Sequence, residues 1–376
     1  MSNLTGNIRL EGDRIIWGIV FALSLFSLLV VYSTAGWNFL FSHFVKILIG
    51  ICAMYIVHKI KFKYFSKLGQ LAYLSSLGLL ILVLIIGVSI NGASRWLTIA
   101  GLQFQPSDVA KLAILLYLAR QLSKQRDYLA HFKYFAWYIL CPLVLICLLI
   151  LPNNFSTAAL VFVNGLVLMF IAKVRLKFIA AIIGFAFIGA LSIYVSAKYT
   201  SLGSQIMPRS ITWVSRIDSF FDGSKNDMQH KDFQQVQALV AIQNGDITGV
   251  GPGKSIQRNV LPYSYSDFIY AIIIEEYGII GGIGVILAYL ILLFRAIKIS
   301  FKVESLFGSL VTVGLMFSLV FQAIINMLVS VKVLPVTGQT LPLISMGGTS
   351  IVFTCITIGI ILSISRDSTD RAYEEA

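Results

Sequence analysis

The chain has 376 residues, 57% of them hydrophobic and 12% charged, and its 29 Lys and Arg against 17 Asp and Glu leave a formal charge of +12. A soluble domain carries about 25% charged residues, so this composition, with a mean hydropathy of +0.85, excludes an ordinary soluble protein. The positive charge then has two explanations, nucleic-acid binding or cytoplasmic-loop charge that orients a membrane protein, and the placement of the basic residues separates them.

The opening stretch MSNLTGNIRLEGDR lacks the basic segment and small-residue cleavage site of a secretory signal, so the first apolar run is expected to stay as a signal anchor. Spanning about 30 Å of hydrocarbon takes roughly 20 apolar helical residues. Ten runs approach that length: Ile15–Ser33, Phe44–Ile60, Leu71–Ile90, Pro106–Ala119, Tyr134–Leu151, Ser156–Ala172, Phe178–Ser196, Phe268–Phe294, Ser305–Val329 and Thr349–Ile364. The fourth carries Asp108 and Lys111, and the eighth carries Glu275 and Glu276. Those two are expected to face protein or water. Cys52, Cys141, Cys147 and Cys355 lie in apolar runs without a CxxC pair and read as small core residues.

With the N-terminus inside, eighteen of the 29 basic residues fall in cytoplasmic segments. Every short internal loop is then positive, which assigns the charge to orientation and leaves no nucleic-acid partner. The expected fold is an all-α integral membrane protein of about ten transmembrane helices, one polytopic domain over residues 1–376, with both termini cytoplasmic. One large external loop, about 197–266, joins spans seven and eight.

Two external segments are not membrane-like. Asn91–Gln105 is a glycine-containing loop leading to Pro106, where proline suits a first helical turn. The 197–266 loop is polar and long, hence functional or disordered. Within it, FQQVQALVAIQNGDITGVG predicts an amphipathic helix on the outer surface with an apolar face at Phe233, Val236, Val240 and Ala241. LPVTGQTLPLISMGGTS, Leu334–Ser350, reads as a bent re-entrant segment, tolerated at membrane depth only inside protein or along a cavity.

An ionisable group at membrane depth costs roughly 2.5–3.5 kcal/mol on insertion scales and is a functional hypothesis by default. Asp108 and Lys111 are three apart on one helical face; they pin a helix as an ion pair, or Lys111 meets an anionic substrate group with Asp108 tuning it. Asp267 opens span eight after Ser264 and Ser266, either of which could cap it. An acid there is explained by the helix dipole alone, or serves as a general base. Glu276 lies about 180° around the helix from Asp267 and does not pair with it. Arg95 and Trp96, with Arg209, Arg216, Lys254, Arg258 and Lys332, converge on the same external side. That gathering suits a phosphate-bearing amphiphile. GVGPGKS could add a backbone anion nest, though flexible turn-making explains its glycines as well.

Five blocks together resemble the SEDS family, that of RodA and FtsW, over nearly the whole chain: NGASRWLTIAGLQFQPSDVAKLA; Arg216 with FQQVQALVAIQNGDITGVGPGKS; LPYSYSDFIYAIIIEEYG; Gln322 and Asn326; and LPVTGQTLPLISMGGTS. The resemblance implies a peptidoglycan glycosyltransferase that polymerises lipid II outside the cytoplasmic membrane with a class B penicillin-binding protein, the transpeptidase. It places the family's essential acid on Asp267 and its QPS-acid-xxK block on Gln105, Pro106, Ser107, Asp108 and Lys111, with Asp where Glu is common. LPNNFSTA replaces QPDxGTA, so the role of that acid does not carry over, and SMGG replaces SYGG, so Met346 brings no phenol. The TGQTLPLISMGGTS block is closer to the FtsW branch, which implies septal synthesis alongside other division proteins; the RodA branch would mean elongation. The expected site is then Asp267 as base, with Arg95, Lys111, Asp108, Arg216 and Trp96 binding the lipid II and undecaprenyl-pyrophosphate-linked glycan. A divalent cation could assist this chemistry, although no carboxylate cluster marks a metal site. The rival reading is a transporter that flips lipid II, since buried charges and broken helices belong to transporters as well. A scaffold that only recruits a transpeptidase is a third.

Overall fold

The computed structural model describes residues 11–90, 93–99, 102–200, 209–222, 231–262 and 264–374. Helix α1 (Arg14–His58) holds the first two apolar runs. It is continuous except at Gly36, whose φ of 76° and ψ of −174° break the helix, a conformation open to glycine because it has no Cβ. Trp17 stands edge-on to His58 with ring centroids 5.4 Å apart, and Ser27 meets His43 at 2.6 Å. The two halves therefore run antiparallel as a hairpin. Helix α2 (Lys63–Ile86) follows, and Gly69 lets it lie close on Leu116.

The segment expected as a loop is a three-stranded antiparallel sheet of β1 (Val88–Ile90), β2 (Ala93–Ile99) and β3 (Leu102–Phe104). Val88 faces Trp96, and Leu97 faces Phe104. Its Trp, Leu, Thr and Ile suit a pleated, half-buried surface. Ladder bonds also satisfy backbone groups that an irregular loop close to hydrocarbon would leave unpaired.

Helix α3 (Pro106–Lys124) begins with proline in its first turn. Next come α4 (Phe132–Ile150), α5 (Phe155–Ile171) and α6 (Leu176–Tyr199). The Asn154 side chain caps α5 by accepting from the Thr157 amide at 3.2 Å. The segment expected to be external supplies α7 (Ser210–Asp222) and α8 (Lys231–Gly245). Then α9 (Ile269–Ser300), α10 (Leu306–Ser330) and α11 (Ser350–Glu374) complete the bundle. Among the described residues seven helices are long and apolar enough to cross a membrane, with α5 a shorter apolar one. Two of the expected apolar runs share α1, the run Leu71–Ile90 ends in strand β1, and α3 is not among these apolar helices.

At one end of the bundle Asp13 pairs with Arg295. Arg366 pairs there with Asp367 at 2.7 Å and donates to the His58 carbonyl at 2.9 Å. These contacts tie the start of α1, the α1–α2 turn, α9 and α11 together on the side where the cytoplasmic charges are expected.

The expected surface helix exists as α8, and the face it turns to the protein shares Ala241 with the expected apolar face. Gln235, Ala238 and Ala241 are buried, whereas Phe233 and Val236 are exposed. Small residues win the inner face because α8 and its exit lie directly on the α9 backbone: a Cβ on Gly245 would fall 2.1 Å from the Ile274 carbonyl oxygen. The Gln235 amide donates to the carbonyls of Val329 and Leu334 at 3.3 and 2.9 Å, which accounts for a buried polar residue there.

Glu275 and Glu276 do face protein, each 1% exposed. Ser255 and Asn244 donate to Glu275, and Ser33 donates to Glu276. Beside them α9 breaks at Gly278, with φ 69°. The glycine-rich stretch after α8 threads that break: the Val250 and Gly251 amides donate to the Glu275 and Glu276 carbonyls at 2.9 and 3.0 Å, and the Ile279 amide donates to the Asp246 carbonyl at 3.0 Å. The Val250 and Gly251 amides are thus spent on α9 and the Gly249 amide on Gly245 of α8, so this stretch serves as a structural turn.

Candidate functional site

The chain between α10 and α11 is non-helical and enters the bundle, as a re-entrant segment must, with its polar groups met by protein. Tyr289 donates to the Pro342 carbonyl. Ser27 donates to the Ile344 carbonyl at 2.7 Å and so accepts from His43. Gln322 donates to the Thr340 carbonyl at 2.9 Å, and Gln339 donates to the Thr157 hydroxyl at 3.0 Å. Four helices, α1, α5, α9 and α10, therefore hold one irregular segment in place.

This segment forms the floor beneath the turn carrying Asp267. Ser345 donates to the Ser266 carbonyl at 2.6 Å, and the Met346 amide donates to the Tyr265 carbonyl at 2.9 Å. The second contact uses the backbone, so a methionine serves there as well as any residue. Neither serine caps α9, whose N-cap position is Phe268: Ser264 donates to the Arg258 carbonyl at 3.2 Å, and Ser266 donates to Asp267 Oδ1 at 3.1 Å.

Gly338 stands in front of the carboxylate with φ 66°, and a Cβ there would come within 3.7 Å of Asp267 Oδ2. Glycine keeps that approach open. Burial pushes the Asp267 carboxyl above its ordinary value, while the Ser266 hydroxyl and the Arg95 and Arg216 guanidinium groups pull it down. Burial and the like charges of Arg209 and Arg216 push Arg95 down to about 10, opposed by Asp267. Arg216 is likewise lowered by burial and by Arg209, and raised by Asp267. Three cations thus share one field with a single carboxylate.

Local structure places each of them. Arg95 is on β2, and its buried Nε has no hydrogen-bond partner among the described residues. Arg216, on α7, donates to the Val336 carbonyl at 2.9 Å. Arg209, just before α7, donates to the Asn153 carbonyl at 2.8 Å. Trp96 lies against Gly348, its ring atoms 3.4 Å from where a Cβ would be. The other external cations do not join them: Lys254 is exposed, and Arg258 donates to the Ser33 carbonyl at 2.7 Å. Arg209 earns a place in the site that no spacing in the sequence indicated, since its partner precedes it by more than fifty residues.

Asp108 and Lys111 form the expected ion pair at 3.0 Å, and Lys111 also donates to Gln322 at 3.0 Å. They line a separate cavity of about 50 Å³ between α3, α10 and α11, whose wall is mixed, with Ser318, Gln322, Thr354 and Thr357 beside Leu112, Leu315 and Phe353. That volume is large enough for water, given a need of about 10–15 Å³ for each molecule. Lys111 reaches the floor of the Asp267 site through Gln322 and Thr340 rather than by facing Asp267. Among the described residues no group of three or more His, Cys, Asp or Glu could hold a metal ion.

The family model for FtsW, RodA and SpoVE, described as "Cell cycle protein", matches residues 12–370. A protein of Nitrosococcus halophilus named "Probable peptidoglycan glycosyltransferase FtsW" is 32% identical over 330 residues, 86% of this chain and 81% of its own length. The Haemophilus influenzae protein of the same name is 33% identical over 330 residues, 86% and 80% of the two chains. Among solved structures, a chain from a peptidoglycan synthase complex in which polymerization and crosslinking are coordinated superposes with a TM-score of 0.79 at 24% identity, over 95% of this chain and 98% of its own. The rod shape determining protein RodA of Thermus thermophilus superposes with a TM-score of 0.69 at 23% identity, over 95% and 97%.

Proposed function

The chain belongs to the FtsW, RodA and SpoVE family of cell cycle proteins, and from that premise we infer that it is a peptidoglycan glycosyltransferase of the FtsW kind, embedded in a membrane by many spans. It polymerises lipid II at the outer face of the cytoplasmic membrane, at the division septum, as one polytopic domain. Its partner is a class B penicillin-binding protein that crosslinks the strands as they form. The observation that carries the mechanism is the Asp267 carboxylate, held in a turn at the outer end of α9 with Arg95 and Arg216 in its field.

Asp267 accepts the proton of the 4-hydroxyl on the acceptor lipid II's N-acetylglucosamine. That oxygen bonds to the anomeric carbon of the growing glycan as the bond from that carbon to undecaprenyl pyrophosphate breaks. A raised carboxyl is the better base for an alcohol, because proton transfer is most effective when the catalytic group titrates near the working pH. General-base help of this kind is worth about 10²–10⁴-fold. The departing pyrophosphate gathers negative charge, which Arg95 and Arg216 meet, with Arg209 behind them; Arg suits such bidentate contacts. Lys111 contributes from below, through Gln322 and the re-entrant floor, with its charge balanced by Asp108. Trp96 packs beside the sugar or lipid at Gly348.

Purified Asp267→Ala protein, assembled with its transpeptidase partner and supplied with labelled lipid II, is expected to form no polymer while keeping its fold. Normal polymer from that variant would sink the general-base role.

A further inference from the structure

Asn326 lies toward the outer end of α10 and is 1% exposed. Its amide nitrogen is 2.8 Å from the carbonyl oxygen of Asp267 and 2.7 Å from that of Gln339. Both partners are carbonyls and can only accept, so the side chain must present its NH₂ to them, and the amide cannot be flipped. In that orientation Oδ1 is buried without a hydrogen-bond partner among the described residues. A buried acceptor left unmet is costly, and one that persists calls for an explanation. Here it follows from aiming both donors of the amide at two separate strands of the site: the turn bearing Asp267, and the re-entrant segment.

We propose that Asn326 is a positioning residue for Asp267, whose forked amide sets the height and pitch of the carboxylate over the re-entrant floor. Two contacts reinforce it from the floor side, Ser345 to the Ser266 carbonyl and the Met346 amide to the Tyr265 carbonyl. Three consecutive carbonyls, those of Tyr265, Ser266 and Asp267, are thereby gripped by α10 and the segment that follows it. Because the grip is on the backbone, it directs the side chain at 267 without touching the carboxylate. The proposal rests on the reading of Asp267 as the general base.

The test compares Asn326→Asp, Asn326→Ala and Ser345→Ala in the full chain with its transpeptidase partner, using labelled lipid II over a range of pH. Asn326→Asp keeps the size of the side chain but turns an oxygen toward two carbonyls. It is expected to lower kcat by about 10²-fold, the scale of an ångström's misplacement at a reacting centre. The KM for lipid II should stay near the wild-type value, and the acid limb of the pH profile should move. Ser345→Ala introduces no charge and keeps the fold accessible to test if the Asn326 variants do not fold. It is expected to show the same loss confined to kcat, with an unchanged melting temperature. Asn326→Ala and Ser345→Ala together should lose less than the product of the single losses, because both act on one turn.

Wild-type kcat in these variants, a loss confined to KM, or a loss that follows only the fraction of folded protein would overturn the proposal. Inactive Asp267→Ala beside fully active Asn326 and Ser345 variants would overturn positioning alone. Active Asp267→Ala would overturn the base reading and this one with it.

Discussion

The Asp267 carboxyl is set by opposing influences of different origin: burial raises it, and a hydroxyl and two guanidinium groups lower it. Burial cannot be removed by one substitution, but a guanidinium can. Arg95→Gln takes away a cation that favours the carboxylate, so the carboxyl at 267 should rise further and be protonated over more of the acidic range. Since only the carboxylate accepts a proton, the acid limb of kcat/KM should shift to higher pH, as measured by initial rates with labelled lipid II. The same variant loses a contact to the pyrophosphate, so its rate on the plateau should also fall, by the order of 10²–10³-fold seen when one preorganised donor is removed. A fall with no shift of the limb would leave Arg95 as a phosphate ligand without influence on the base. Asp267 and the cations were visible in the sequence because charges in a hydrophobic chain stand out. Their roles were not, since whether Arg95, Arg209 or Lys111 lies nearest the acid depends on contacts across the fold.

At the scale of elements, the break in α9 at Gly278 governs how the external segment is seated. A Cβ at Gly278 would fall 2.1 Å from the Ile247 carbonyl oxygen, and the residue's φ of 69° disfavours any L side chain. Backbone strain of that kind costs about 1–3 kcal/mol, and a collision with backbone cannot be relieved by turning a rotamer. Gly278→Ala should therefore lower the melting temperature in detergent and release α8, whereas Gly284→Ala, in the same helix with nothing within 4 Å of its Cβ, should leave it unchanged. Equal melting temperatures would mean that the turn after α8 is not anchored at this break. Hydropathy made the helices legible, because each apolar run reports its own burial without reference to a partner. The sheet at 88–104 escaped for the opposite reason, as strand pairing is settled by register and not by any one strand's composition. On α8 the sequence pattern named Ala241 and the exposed pair Phe233 and Val236, while the choice of Ala238 and Gly245 for the inner face depends on close approach to α9.

For the whole molecule the two rival functions predict different exposure of one site. A transporter alternates access by rocking one part against another around a central site, and buried Glu275 and Glu276 beside a broken α9 would be suitable material. Their partners argue otherwise. Asn244 and Ser255 donate to Glu275 and Ser33 to one oxygen of Glu276, and the turn after α8 fills the break with backbone hydrogen bonds. At the opposite end, the Asp13–Arg295 pair ties the start of α1 to α9, and Arg366 of α11 donates to the His58 carbonyl at the end of α1. A polymerase needs its base open to one side only. A cysteine placed at 267 in a variant whose four native cysteines are replaced should react with a membrane-impermeant maleimide added outside, and stay unlabelled when the reagent is confined to the inside of inverted vesicles. Labelling from both faces, increasing when lipid II is supplied, would favour transport. One-sided labelling is the outcome expected of a chain whose basic residues mainly orient it in the membrane while Arg95, Arg209 and Arg216 gather near one carboxylate.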